Sequence, residues 1–272
     1  MATNTMNRAA RRRARDIPVK TISDQDLRLS LRQGLDDFLT FRGDIIFAGI
    51  IYTVIGLAAV VMTASAPLIP FFLPIVAGIG LLGPVAAVGF YELARQREDG
   101  VPNLHWFNFL DVRKRPSVDD MGMVAGLLLA IFFAWLIAAG ALYGALFHWQ
   151  TPDSVPAFVA MIFTTPRGWA LIVTGAAVGA VFGWMVLALS VVSLPMLVDR
   201  NVSAAEAVSV SWRAANANRG KMIRWGLVVT ALLVLGSIPL FVGLAVVLPW
   251  LGYSTWHLYT RLIDRSALDR RS

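Results

Sequence analysis

The sequence of 272 residues contains no cysteine and only three histidines, His105, His148 and His257. Without cysteine the chain cannot form a disulfide, a thiolate metal site, a cysteine-ligated iron–sulfur cluster or a cysteine nucleophile. Charged residues are also scarce, at 15% of the chain, against roughly 25% in an average soluble domain. A soluble protein needs polar residues to cover its surface, so this composition argues against one.

Hydrophobic residues make up 57% of the chain and gather in long blocks. A helix needs about 20 apolar residues to cross the core of a bilayer. Four segments meet this need: 45–64, 71–90, 123–147 and 169–194. A last block, 223–258, is too long for one span, and Gly236-Ser237-Ile238-Pro239 divides it into a shorter fifth span and a sixth. The sequence therefore predicts an all-α integral membrane helical bundle with six transmembrane helices arranged as three hairpins.

The basic residues indicate how such a bundle is oriented. With six spans, 23 of the 24 lysines and arginines fall on one side of the membrane, and Arg167 alone falls on the other. Lysine and arginine are enriched on the cytoplasmic side of membrane proteins, so both termini are expected in the cytoplasm. The net charge of +7 then reflects the basic residues that orient the protein in the membrane. No nucleic-acid partner is therefore expected.

The chain is divided into a disordered basic cytoplasmic tail over residues 1–22, a transmembrane domain over 23–263 and a cytoplasmic tail over 264–272. The basic N-terminal run is not a signal peptide, because about thirty residues separate it from the first apolar block. A mitochondrial transit peptide is the alternative interpretation. We expect the arginines of this tail to contact anionic lipid headgroups, in addition to the contacts of the spans with the lipid bilayer.

Two segments before spans are predicted to be amphipathic helices that lie in the cytoplasmic interface. The first, around 27–38, follows the capping signal Ser23-Asp24-Gln25-Asp26, and the second follows the capping box Ser203-Ala204-Ala205-Glu206. Each leads to a span and a hairpin with glycines and prolines at matching spacing, which favours an internal repeat. The alternative is that helical hairpins resemble one another in composition alone.

Glycines recur at four-residue spacing in the third and fourth predicted spans. Such stripes let helix backbones approach closely, so they are predicted to pack helices within the bundle. Contact with a second copy or with another membrane protein is the alternative. The glycines concerned are Gly140, Gly144, Gly175, Gly179 and Gly183.

Candidates for chemistry are few, because ionisable residues are missing from the middle of the predicted spans. Glu92 and His257 lie near cytoplasmic ends of spans, and His105 lies in the loop 91–121. Glu92, Glu98, Asp99 and Asp111 could form an acid–base or metal site with His105, although a solvated polar loop explains them as well. The sequence predicts no cofactor, since His148 and His257 fall at opposite faces and cannot ligate one haem.

Three stretches resemble an uncharacterised family of bacterial multi-pass inner-membrane proteins, a domain of unknown function, over about residues 25–263. The resemblance implies a bacterial inner-membrane location and supplies no activity or catalytic residue. Some members carry the label of a cytochrome c oxidase subunit, but the few histidines here do not support a catalytic oxidase. The stretches are Leu82-Gly83-Pro84-Val85-Ala86 leading to Tyr91-Glu92-Leu93-Ala94-Arg95, then Ser193-Leu194-Pro195-Met196-Leu197-Val198-Asp199-Arg200, and Leu248-Pro249-Trp250-Leu251-Gly252 leading to Thr255-Trp256-His257-Leu258-Tyr259.

These features favour a non-enzymatic accessory or scaffold protein of the inner membrane, with a membrane-protein partner or a second copy as its binding partner. The alternative is a transporter or channel for a small or lipidic solute, which the internal repeat suggests. A membrane enzyme that uses Glu92 and His105 is the third hypothesis.

Overall fold

The computed structural model describes residues 17–63 and 66–266, and these residues are mostly helical. Two 3₁₀ helices, η1 (Ala66–Phe71) and η2 (Trp106–Lys114), interrupt the series of α-helices. The α-helices are α1 (Asp24–Thr63), α2 (Phe72–Leu81), α3 (Gly83–Ala86), α4 (Val88–Glu98), α5 (Val118–Phe147), α6 (Val155–Thr164), α7 (Pro166–Ser190), α8 (Ser193–Asp199), α9 (Ala204–Ala217), α10 (Arg219–Ser237) and α11 (Leu244–Leu262).

Three segments of the described chain are long and apolar enough to cross a membrane. They are α5, α7 together with α8 (Pro166–Asp199), and α10. They coincide with the third, fourth and fifth predicted spans, which confirms the prediction of a helical membrane protein. The count of six spans stays a prediction, and the first span, 45–64, falls partly on residues outside the described ranges.

The predicted amphipathic segment around 27–38 is not a separate interfacial helix. It is the first part of α1, a continuous helix of 40 residues that runs on into the first predicted span. Its start is the predicted capping box, since the Asp26 backbone N–H donates to Ser23 Oγ over 3.2 Å and Asp26 accepts from the Ser23 N–H over 2.7 Å. No proline separates the two parts, and the helix continues through Gly43.

The second amphipathic segment forms a helix of its own, α9. Its predicted capping box is present, because Ser203 Oγ accepts from the Glu206 backbone N–H over 3.3 Å. Asp120 of α5 accepts from the Ala204 N–H over 2.7 Å and so caps the same helix. Asn218 ends α9 with φ −114° and ψ 29°, outside the α-helical region. The two copies of the proposed repeat therefore differ, because only the second is interrupted between its amphipathic part and its span.

The second predicted span, 71–90, is not one helix. It is divided at Leu82 and Ala87 into α2, the single turn α3 and the start of α4. Pro84 explains the break, since proline has no N–H to donate and its ring clashes with the preceding turn of a helix. The helix is therefore interrupted inside a segment that its composition predicts to be one span.

α1 packs along α11 in an antiparallel arrangement, and this is the most extensive helix contact in the described chain. The contact is close at Gly34 and Gly49, where an added Cβ would lie 2.5 Å from the Ser254 backbone N and from the Ala245 Cα. α5 packs against α7. The arrangement as three hairpins stays a prediction, because the first span pairs chiefly with the last helix.

Residues 17–22 belong to the folded part and not to the predicted basic tail. Ile17 is fully buried, Val19 forms an antiparallel bridge with Ile263, and the Lys20 N–H donates to Leu262 O over 2.8 Å. The Asn218 side chain accepts from the Ile22 N–H over 2.9 Å and donates to Lys20 O over 3.0 Å. We call residues 17–22 the strap. The remaining tail residues, 1–16 and 267–272, lie outside the described residues.

The strap leads into Asp24 at the start of α1, which ties this helix to α10. Lys221 and Arg224 each contact the Asp24 carboxylate over 2.6 Å, and their hydrogen bonds lower the pKa of Asp24 from 3.8 to about 2. The folded state therefore favours the ionised carboxylate. Its contribution to stability is present above the unfolded pKa and is lost as the pH falls through the folded pKa.

Replacement of Asp24 with asparagine should lower the melting temperature of the protein in detergent at neutral pH. The difference in Tm between the wild type and Asp24→Asn should then shrink as the pH falls from about 4 to about 2, the window set by the pKa values. A melting series across this window checks the expectation. A Tm difference that stays constant down to pH 2 would contradict it.

Candidate functional site

Buried charged side chains gather at one end of the bundle, where α1, α4, α8 and α11 meet. They form three clusters, centred on the carboxylates of Glu92, Asp199 and Asp37. Helix α4 supplies a residue to each cluster, since Glu92, Arg97 and Glu98 all lie on it. We call this set the ionic layer; its charged members are Asp37, Glu92, Arg95, Arg97, Glu98, Arg115, Asp199, Arg200, His257 and Arg265.

The Glu92 carboxylate is bound by two arginines. Arg115 donates to both of its oxygens, over 2.9 and 3.0 Å, and Arg95 donates over 2.8 Å. Gln96 donates to it over 2.7 Å, and the side chain is only 2% exposed. Burial raises the pKa of Glu92, while the hydrogen bond from Gln96 and the charge of Arg95 act in the opposite direction. The carboxylate joins α4 to the segment that follows η2.

The Asp199 carboxylate is fully buried and has three partners. Arg265 donates to both of its oxygens, over 2.9 and 3.1 Å, and Arg200 donates to it over 2.7 Å. The Tyr259 hydroxyl donates over 2.8 Å. Two-point arginine–carboxylate contacts are the strong form of this interaction, because both hydrogen bonds carry charge. The cluster joins the end of α8 to the end of α11 and to the residues just after it.

Glu98 extends the Asp199 cluster to α4. Arg265 also pairs with the Glu98 carboxylate, and the Trp256 indole N–H donates to Glu98 over 3.2 Å. The Arg265 guanidinium lies over the Trp256 ring, 5.7 Å from its centroid. One arginine therefore contacts two acids and one aromatic ring, and holds three helices together.

The Asp37 carboxylate forms the third cluster, between α1, α4 and α11. Arg97 contacts it over 2.6 Å, and His257 Nε2 lies 2.8 Å from its other oxygen. Arg261, one turn further along α11, donates to Gln33 over 2.6 Å. These contacts continue the close packing of α1 against α11 into the polar end of both helices.

The structure separates the three residues that the sequence singled out for chemistry. Glu92 and His257 both enter the ionic layer, in different clusters. His105 is exposed and stands at the start of η2, where its backbone N–H donates to Asn108 Oδ1 over 3.0 Å. In the candidate acid–base pair, Glu92 is therefore hydrogen-bonded to arginines, whereas His105 is exposed to solvent.

The glycines of the predicted stripes face side chains more than helix backbones. An added Cβ on Gly140 would lie 3.2 Å from the Phe71 ring, and one on Gly144 would lie 2.5 Å from the Trp149 ring. Gly175 and Gly179 face Leu142 and Trp135 of α5 at 3.8 and 3.5 Å, and Gly183 has nothing within 4 Å. Their role in helix packing or in association stays a prediction.

Sequence reasoning missed Asp37, Asp199 and Arg265 as members of a site. Arg265 was placed in the C-terminal tail, although Ser266 and the residues before it are part of the described fold. A signal was present, because Glu92, Asp199 and His257 each lie in one of the three stretches that carry the family resemblance. Those stretches are far apart in sequence and converge in the ionic layer.

The arrangement is suited to holding helices in place. Each carboxylate at the centre of a cluster already accepts hydrogen bonds from cationic or polar side chains, which leaves it poorly placed to remove a proton from a substrate. Over residues 17–63 and 66–266, no group of three His, Asp or Glu side chains is placed to hold a metal ion. The layer fixes the relative positions of α1, α4, α8 and α11.

Glu92→Gln should destabilise the protein by about 3 kcal/mol, because two partly buried arginines lose a shared negative charge. His105→Ala should change stability by no more than about 0.5 kcal/mol, as is usual for an exposed side chain. Thermal melting of both purified variants in the same detergent checks this difference. Equal melting temperatures for Glu92→Gln and the wild type would show that the carboxylate does not hold the layer together.

No curated protein and no solved structure matches this chain. A family model matches residues 71–199, a segment that contains Glu92 and ends at Asp199 in the ionic layer. The description of this family names no activity and no oxidase subunit. The match confirms the resemblance to an uncharacterised membrane-protein family: over residues 71–199 the chain matches the family described as a predicted integral membrane protein, DUF2189.

Proposed function

We propose that the chain is a non-enzymatic accessory or scaffold protein of the bacterial inner membrane. The observation that carries this proposal is the ionic layer, in which the buried acids are held by arginines from other parts of the chain. Such a layer stabilises one arrangement of helix ends and offers a fixed surface to a partner protein.

The proposal includes six spans with both termini in the cytoplasm. The start of α1 and the ends of α4, α8 and α11 meet in the ionic layer, and all four are helix ends that the predicted topology places in the cytoplasm. Because these four helix ends lie together, they support an even number of membrane crossings along the chain between any two of them. The distribution of basic residues supports the cytoplasmic side, since arginines of the layer belong to the majority of 23.

Co-purification from native membranes tests the scaffold function. The tagged protein is extracted in mild detergent, and its bound proteins and lipids are identified by mass spectrometry. A partner protein in fixed stoichiometry is the expected result. The same experiment is done with Gly183→Leu, which adds a side chain where the structure has open space and so should leave the fold intact. Loss of the partner from this variant would then reflect a changed surface and not unfolding. A chain that purifies alone from native membranes would overturn the scaffold proposal.

Transport of a small or lipidic solute is the second candidate, and the broken helix favours it. Discontinuous helices line the substrate sites of many transporters, and the break at Leu82–Ala87 lies within a predicted span. An added Cβ on Gly83 would meet nothing within 4 Å, so there is open space at the break. Sealed proteoliposomes with a broad solute panel test this candidate. Flux that Gly83→Trp abolishes would favour transport, and no flux for any solute would count against it.

A further inference from the structure

The segment between the third and fourth predicted spans, 148–168, contains a helix that sequence reasoning did not anticipate. α6 has 10 residues, Val155–Thr164, and none of them is charged. It follows α5, a helix of 30 residues that starts beside the ionic layer, since Arg115 of the layer lies three residues before its first residue, Val118. At 1.5 Å per residue α5 is about 45 Å long. α6 therefore lies at the opposite side of the membrane from the ionic layer.

One face of α6 is apolar and exposed. Val155, Val159 and Phe163 follow one another at four-residue spacing, and their exposed fractions are 50%, 47% and 58%. Neighbouring residues on a helix face repeat every three or four positions, so these side chains form one continuous stripe. Exposing such an apolar stripe to water costs free energy relative to burying it.

The polar side chains in and next to α6 form hydrogen bonds within the protein. Thr164 Oγ1 donates to the Ala160 carbonyl and Thr165 Oγ1 to the Met161 carbonyl, each over 2.7 Å. Ser154 Oγ caps the start of the helix by accepting from the Ala157 N–H over 3.3 Å. A segment in lipid must satisfy its polar groups in this way, because the bilayer core offers no water.

The stripe continues onto a helix that is apolar enough to span the membrane. Trp169 of α7 is 53% exposed, its ring lies 6.2 Å from the Phe163 ring, and its indole N–H donates to the Phe163 carbonyl over 3.0 Å. Gly168 permits this approach, since an added Cβ would lie 2.5 Å from the Ile162 Cα and carbonyl carbon and would overlap the carbonyl oxygen. Tryptophan is enriched at the membrane interface. The exposed face of α6 is thus continuous with the lipid-facing surface of α7.

We propose that α6 is embedded in the membrane leaflet opposite the ionic layer, parallel to the membrane plane, with Val155, Val159 and Phe163 against lipid acyl chains. Its length of about 15 Å is too short to cross a core of roughly 30 Å. Charged residues flank the helix at Asp153 and Arg167, which places both of its ends at the headgroups. This inference concerns a lipid-binding surface and does not depend on the scaffold function.

The absence of cysteine from the chain makes a direct test possible, because each single-cysteine variant carries one thiol. Val159→Cys probes the stripe, Asp153→Cys serves as the control in water, and Ile137→Cys serves as the control deep in the bilayer. Ile137 is 73% exposed and lies ten residues before the end of α5. Each variant is purified, checked by size-exclusion chromatography and reconstituted into liposomes of phosphatidylethanolamine and phosphatidylglycerol.

Two measurements then locate the helix. Val159→Cys should react with a water-soluble maleimide at least about tenfold more slowly than Asp153→Cys, because a nonpolar environment disfavours the reactive thiolate. An NBD label on Val159→Cys should be quenched more by lipids with a doxyl group at carbon 5 than by those with one at carbon 12. The label on Ile137→Cys should show the reverse order.

Three outcomes would overturn the proposal. Fast maleimide labelling of Val159→Cys without quenching by either lipid would place the stripe in water. Slow labelling without quenching would show that protein, such as a second copy of the chain, covers it. Stronger quenching at carbon 12 would show that α6 enters the bilayer deeply and does not lie in the plane of the headgroups.

Discussion

Asp199→Ala should lower the free energy of unfolding by about 3–5 kcal/mol, because it leaves two arginines without their buried counter-ion. The Tyr259 hydroxyl, also buried, would lose its acceptor. A typical protein is stable by only about 5–15 kcal/mol. We therefore expect the variant to be depleted from membranes and to melt far below the wild type when purified in detergent.

The matched control is Lys20→Ala, which removes a half-exposed partner of Asp264 at 3.9 Å. Surface ion pairs contribute about 0–1 kcal/mol, so this variant should accumulate and melt like the wild type. The double variant Asp199→Leu/Arg265→Leu should recover part of the loss, since it removes charge from both sides of the pair. Normal accumulation of Asp199→Ala would show that the ionic layer is not what holds the helix ends together.

Gly34→Val should also prevent stable folding, through packing and not through charge. The new side chain would start 2.5 Å from the Ser254 backbone, and a backbone atom cannot rotate away as a side chain can. Overpacking usually costs about 1–3 kcal/mol, and a clash between two helix backbones should reach the upper end or exceed it. Thermal melting and the amount of protein in the membrane fraction both report the effect.

Gly183→Val is the matched control for this helix contact. It makes the same chemical change in the fourth predicted span, at a glycine with nothing within 4 Å of its added Cβ. We expect a Tm close to that of the wild type. If Gly34→Val were tolerated and Gly183→Val were not, α1 and α11 would not pack as described, and the predicted stripe on α7 would carry the important contact.

Local signals were sufficient to predict local structure. The capping boxes at Ser23 and Ser203 form as expected, because each involves residues three positions apart. The apolar blocks that became α5, α7 and α10 were also recognised, since a span is defined by its own composition. Pro84 was a local signal of the same kind, and it explains why the second span is divided.

Contacts between distant residues could not be predicted in the same way. Asp199 and Arg265 are 66 positions apart, and no spacing rule connects them. Gly34 and Gly49 lie 15 positions apart and do not form a four-residue stripe, so their contact with α11 has no sequence signature. α6 was taken as loop because its 10 residues are too few for a span.

The strap has a consequence for the order in which the protein is made. Its residues bond to Asn218, Leu262 and Ile263, which the ribosome adds some two hundred positions later. Glu98 and Asp199 likewise can pair with Arg265 only after that residue has been synthesised. Until the residues after α11 have left the ribosome, these acids remain without that arginine. The end of the bundle that holds the ionic layer can therefore close only as a late step, after the preceding helices have been synthesised.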